Sequence, residues 1–231
     1  MTKAELIERV LSDLGETTSS GFYTSADAEA ALNRAQQVFA LMTLCVERVT
    51  SFNLALNTNF MESAVSDLIV PLNIRLASGT RLRPGTLKEL TAGDKWWTGR
   101  TAPLTKNYPV KYGIAGWRLL YFYPKASVQV GLLMRYAAAP VAIATDGPEI
   151  PTEYHADLCD FAVPLLRIKE GGSSLQKDLQ RLQRFYASVS ACADKVRSRA
   201  AVQMYDNCPP EVKIPDFSRL LKKEKAYGRR S

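Results

Sequence analysis

The stretch Ile150–Arg199, IPTEYHADLCDFAVPLLRIKEGGSSLQKDLQRLQRFYASVSACADKVRSR, decides how this chain folds. Tyr154, Leu158, Phe161, Leu165 and Ile168 recur at helical spacing. Leu175, Leu179, Leu182, Tyr186, Val189, Ala193 and Val196 repeat that spacing, so each half carries one apolar seam. Gly171 and Gly172 separate the halves. Glycine takes up positive φ without steric cost, and Ser173 or Ser174 can accept the orphan amide hydrogens of the next helix. The pattern predicts a helical hairpin, with a kink at Pro164 in its first arm. Two seams facing only each other leave much of their apolar surface in water, so the hairpin requires further helices from elsewhere in the chain.

Those helices are available upstream. Thr2 and Glu5 form a capping box, Leu6, Val10 and Leu14 follow, and Gly15 closes a short helix. Ser25, with Asp27 and Glu29 in the first turn, opens a second helix. Its seam reads Ala28, Leu32, Ala35, Phe39, Met42, Val46 and Val49. The same period at both ends of the chain predicts one helical bundle formed from residues 1–49 and 150–204.

Between these parts the period falls to two. Phe52, Leu54 and Leu56 alternate with polar or small residues, and Leu68–Leu76 reads as extended, with Pro71 favouring a sheet edge. Pro84-Gly85 marks a turn, and Gly113–Gly116 a hairpin loop between Tyr108–Tyr112 and Trp117–Tyr123. Val128, Val130, Leu132, Met134 and Tyr136 alternate without a break. The expected fold class is therefore α+β, with residues 50–149 as an inserted small antiparallel sheet or sandwich.

Bulk properties narrow the function. A chain of 231 residues with 46% hydrophobic content can bury a proper core. It has no apolar run of about 18 residues or more, and Glu5, Glu8 and Arg9 stand where a signal peptide would be apolar, so a soluble protein that is not Sec-exported is expected. Cys45, Cys159, Cys192 and Cys208 are widely spaced, three of them in or beside apolar seams, which fits buried thiols better than a metal site. His155 is the sole histidine and falls where a structural or capping role is expected. No nucleophile stands at a recognisable spacing from a base, and the glycines form neither a phosphate loop nor a dinucleotide fingerprint. Asp157 and Asp160 fit an exposed acidic helix face, and Trp96, Trp97 and Trp117 fit core or subunit-contact positions. The expectation is a protein without catalytic, cofactor or metal residues.

Several motifs in order carry a family resemblance: LRPGTLKEL, then Trp96-Trp97, PVKY, WRLLYFYP, MRYAAAPVAI and EIPTEYHADLCDFAVPLL. With the capped N-terminal helix, this order resembles the head-to-tail adaptor, or connector, proteins of tailed bacteriophages over about Met1 to Ser198. The aromatic-proline strand end lies at Tyr121–Pro124, and the proline-capped helix at Pro151, Tyr154 and His155. The resemblance implies a virion protein of the head–tail neck, assembled in the host cytoplasm. It implies a homo-oligomeric ring, a dodecamer, beneath the portal protein ring, extending the channel for packaged DNA and docking the tail, nozzle or tail-tube proteins. No membrane partner is implied.

The last nineteen residues, from Lys213, hold seven basic and two acidic side chains, +5 of the formal +7. Asn207, Pro209, Pro210 and Pro215 prevent the hairpin helix from continuing, so residues 205–231 are expected to form an extended arm that orders on assembly. Phe217, Leu220 and Leu221 supply apolar anchors. Lys213, Arg219, Lys222, Lys223, Lys225, Arg229 and Arg230 supply charge for an acidic partner or for DNA. The alternative is a nucleic-acid-binding protein acting through this basic tail.

Overall fold

The computed structural model describes residues 1–16, 21–63, 65–93, 95–101, 107–116, 118–169 and 175–216. Among them are five α-helices and seven strands in two small sheets, an α+β fold. The chain forms two compact units. Of the described residues, one comprises those of Met1–Cys45 and Pro140–Val196 with residues 209–216; the other comprises those of Val46–Ala139 and Arg197–Cys208.

In the helical unit, α1 (Lys3–Leu14) begins at the expected Thr2–Glu5 capping box and ends at Gly15, whose φ of 79° is left-handed. It buries Leu6, Val10 and Leu11. The second helix, α2 (Ser25–Thr43), is capped by Thr24 with Asp27 and not by Ser25, which is its first helical residue. It also ends earlier than its seam suggests. Leu44 adopts φ 54°, and the residues after it pair as a strand, so Val46 lies beyond the helix and Val49 is exposed on that strand.

The first arm of the expected hairpin does not run as one α-helix from its start. Thr152–Tyr154 and Ala156–Leu158 are 3-10 turns, and α4 spans Cys159–Lys169. A 3-10 turn advances about 20° more per residue than an α-helix, so it shifts the phase of the helix that follows. The buried face is Leu158, Cys159, Ala162, Val163 and Leu166, while Ile168, placed in the seam by its spacing, is exposed. This face packs on α1 and α2. α4 continues through Pro164, which cannot donate to the Asp160 carbonyl. The expected turn at Gly171–Ser174 lies outside the described residues.

Helix α5 (Leu175–Gln203) buries Leu179, Val189, Ala193 and Val196 as its spacing predicts, but its central core residue is Phe185, which the seam omitted. The Phe185 ring lies 4.9 Å from Phe161 and 6.0 Å from Phe39, and Phe39 lies 5.3 Å from Tyr154. Edge-to-face and tilted aromatic pairs of this kind add about 0.5–1.5 kcal/mol each beyond area burial.

In the other unit, β1 (Glu47–Leu54), β7 (Val130–Ala138) and β3 (Leu68–Leu76) form an antiparallel sheet with β7 central, which puts Pro71 on an edge strand as expected. Its inner face carries Leu54, Ile74, Leu76, Leu132 and Met134, all buried. A second sheet has the order β2 (Phe60–Glu62), β6 (Leu119–Tyr123), β5 (Lys111–Ile114) and β4 (Arg83–Pro84), with β4 and β5 parallel. Phe52 of the first sheet and Phe122 of the second meet at 6.3 Å. Leu56 and Val128, read as members of alternating strands, are exposed in the connections. The turn at Pro84-Gly85 leads into a helix that periodicity missed, α3 (Leu87–Gly93), opened by reciprocal bonds between Thr86 and Glu89. Leu90 of α3 packs with Trp97 and Tyr121 over the second sheet. The Tyr121 hydroxyl donates to the Gly85 carbonyl, and a Cβ at Gly113 would lie 2.2 Å from that hydroxyl, so the close approach requires glycine.

Candidate assembly surface

The C-terminal segment reaches its position through residues that local periodicity cannot reveal. α5 ends at Met204, where φ is 54°. The Tyr205 hydroxyl donates to Glu47 at 2.6 Å and accepts from Arg135 at 3.0 Å, and the Arg135 guanidinium lies over the Tyr205 ring. Burial, then the bond to Glu47, raises the pKa of Tyr205. Asp206 is the most enclosed carboxylate of this group, its side chain 2% exposed. It pairs with Arg81 and accepts from the Tyr112 hydroxyl at 2.5 Å, while its own amide donates to the Leu72 carbonyl at 2.6 Å. Burial first, and then the bond to Asp206, pushes the Tyr112 pKa well above the ordinary phenol range. Asn207 donates to the Pro71 carbonyl at 2.7 Å.

In the helical unit the segment continues beside α5. Pro209 and Val212 are buried, and the Ser190 hydroxyl donates to the Val212 carbonyl at 3.4 Å. Ile214 borders an open groove of about 650 Å³ along Lys177, Gln180, Arg181, Arg184 and Ala187. Residues 205–212 are thus fastened to the chain's own body before the charge-rich stretch begins. Of the residues assigned to partner contact, Lys213 is exposed. Phe217, Arg219, Leu220, Leu221, Lys222, Lys223, Lys225, Arg229 and Arg230 lie outside the described residues.

Other singled-out residues are engaged locally. Both ring nitrogens of His155 face backbone carbonyls, Nδ1 at 3.2 Å from Met1 and Nε2 at 2.9 Å from Ile150, and the residue sits between two 3-10 turns rather than in a helical first turn. Asp160 does not belong to an exposed acidic face. Its carboxylate is 17% exposed and meets Arg184 at 3.0 Å and Arg181 at 3.5 Å, with its pKa raised by burial against these cations. Arg181 also holds Asp13 at 2.7 Å, and Arg167 holds Asp178 at 2.9 Å. Trp97 is buried and Trp96 is 81% exposed, while Trp117 lies outside the described residues. Cys159 and Cys192 are buried, Cys45 is half-buried and Cys208 exposed, and none of the four is in a disulfide. Among the described residues no three His, Cys, Asp or Glu side chains are grouped to hold a metal, and no helix is long and apolar enough to cross a membrane.

No curated protein matches the chain. The family model described as SU10 adaptor protein matches residues 1–209, which takes in both units and stops just past the Tyr205–Asn207 anchor. A match over most of the chain establishes that this chain belongs to the SU10 adaptor protein family, a family of phage head-to-tail adaptors.

Proposed function

We propose that this protein is a structural component of the virion neck. It forms a homo-oligomeric ring, a dodecamer, beneath the portal, continues the DNA channel and presents a surface for the tail or nozzle. Family membership over residues 1–209 is the observation that carries this reading. In this reading the helices of residues 1–49 and 150–204 act as one bundle with a C-terminal hairpin, and residues 50–149 are a strand-rich insertion. Ion pairs between α4 and α5 support such a frame, since Arg181 and Arg184 both reach Asp160.

The C-terminal arm is the attachment device of this reading. Its basic stretch follows a segment already fixed by Asp206, Asn207 and Val212, so the stretch starts from a set point on the subunit. Phe217, Leu220 and Leu221 give it apolar anchors, and Arg219, Lys222, Lys223, Lys225, Arg229 and Arg230 give it charge for an acidic portal or neighbouring-subunit surface. An arm that orders on docking releases its contact energy only in the assembled state. Electron microscopy of the native particle tests the whole reading. A ring of this protein between portal and tail is expected, and its density elsewhere in the particle refutes the role.

A further inference from the structure

The two edges of the three-stranded sheet are treated differently by the chain. The β3 edge is covered by the protein itself: Asp206 bonds to Leu72, Asn207 to Pro71, Leu82 to Ile74, and Leu76 to Thr80. On the β1 side the register with β7 is regular over all eight residues. The amide of Ala138 donates to the Val46 carbonyl at 2.8 Å, and these two residues stand opposite each other in that register. In an antiparallel ladder alternate residues turn both backbone groups to the same neighbour, so Arg48, Thr50, Phe52 and Leu54 face β7. Glu47, Val49, Ser51 and Asn53 turn theirs outward, and among the described residues no backbone group meets them. The run Val49–Leu54 contains no proline and no charged residue, and β1 has no bulge, so the usual protections of an edge strand are missing.

We infer that two copies of the free protein pair through β1, antiparallel about a two-fold axis at Ser51. The occupant is a second copy because the strand is complementary to itself. With the axis at Ser51, the uncharged run pairs with itself, Val49 opposite Asn53 and Ser51 opposite Ser51. On the inner face Thr50 stands opposite Phe52, in a close non-hydrogen-bonded pair that covers the half-buried Phe52 ring. No like charges meet, since Glu47 falls opposite Ala55. Head-to-tail joining through β3 is closed off by the bonds that already occupy that edge. A two-fold contact is isologous, whereas subunits pointing one way around a ring use two different surfaces. The pair is therefore a form of the unassembled protein that opens before ring entry; this last step alone rests on the ring reading.

Sedimentation of the full-length protein across the micromolar range tests the inference, with a concentration-dependent dimer expected. Ser51→Lys and Ser51→Glu each place like charges opposite one another on an exposed position and should weaken association roughly fivefold or more. Mixing the two variants should restore it, and unchanged thermal melts show that each remains folded. In a Cys208→Ser background, Ser51→Cys with oxidised glutathione should give a dimer whose peptide map shows the two copies joined by a disulfide between their introduced thiols. Hydrogen-bonded antiparallel partners lie about 5.5 Å apart at Cα, within disulfide reach. A monomer at every concentration, a dimer indifferent to both charge variants, or a closed ring formed without portal overturns the inference. None of these outcomes bears on the ring in the particle, which microscopy reads separately.

Discussion

Helix α5 serves the two units in opposite chemical ways. Within the helical unit it supplies Phe185, which meets Phe39 and Phe161 in an apolar centre. Just past its end it supplies Asp206 to the strand-rich unit, where a carboxylate, a phenol and a guanidinium close on one another. An apolar centre loses stability in proportion to what is removed, because its neighbours relax into part of the space. A buried polar centre behaves differently. Removing one member leaves the others desolvated and unpaired, so identity matters more than volume.

The largest effect is expected at Phe185. Phe185→Ala should cost about 3–5 kcal/mol, and Phe185→Leu clearly less, by denaturant titration of the purified protein. Equal losses from the two variants would show that the site is specific to the ring rather than graded by volume. Asp206 comes next. Asp206→Ala should cost about 2–4 kcal/mol, because Tyr112 loses its acceptor and Arg81 its partner, the latter still reached by water. Asp206→Asn keeps the shape and an acceptor oxygen, and should recover about half of that loss. If alanine and asparagine cost the same, the charge is what the site requires.

A pH titration separates the two centres further. The Tyr112 pKa is raised in the folded protein, so its contribution to stability is fully present below the unfolded phenol value of about 10 and is lost as pH rises above it. Tyr112→Phe should cost about 1–2 kcal/mol at neutral pH and make stability fall less steeply above about pH 10. The remaining alkaline slope has contributions from Tyr121, Tyr136, Tyr154 and Tyr205, whose pKa values are also raised by burial, and from the thiols of Cys159 and Cys192, which are raised as well. An unchanged slope in Tyr112→Phe would mean that the phenol ionises in the folded protein as easily as in the unfolded one.

These centres also mark what the sequence could and could not reveal. Local signals were legible where the physics is local: the Thr2–Glu5 cap, the left-handed Gly15, the alternation through Leu132 and Met134, and Pro71 on an edge strand. The α2 terminus was not, because leucine at Leu44 gives no hint of a left-handed residue. The α4 face was displaced because 3-10 turns precede it, and nothing in a heptad-like spacing signals them. α3 could have been found, since Thr86 and Glu89 carry the same capping signature as Thr2 and Glu5. Asp206 was out of reach, with partners 94 and 125 residues away in sequence.

The smallest effect on folding is expected from the largest change in charge. Deleting Lys213–Ser231 removes +5 of the formal +7 but leaves Phe185, Asp206 and the buried Val212 in place. The thermal transition should hardly move. Co-sedimentation with purified portal should nonetheless be lost or strongly weakened, because the proposed arm contributes only when docked. Replacing Phe217, Leu220 and Leu221 by serine should reproduce much of that loss at unchanged charge. Neutralising Lys222, Lys223, Arg229 and Arg230 should chiefly slow attachment or alter its salt dependence, since exposed charge governs encounter and is screened within about 10 Å at ordinary ionic strength. A truncated protein that binds portal as well as the full chain does would leave the basic stretch a solvated tail, and attachment would then have to come from the surfaces of the two folded units.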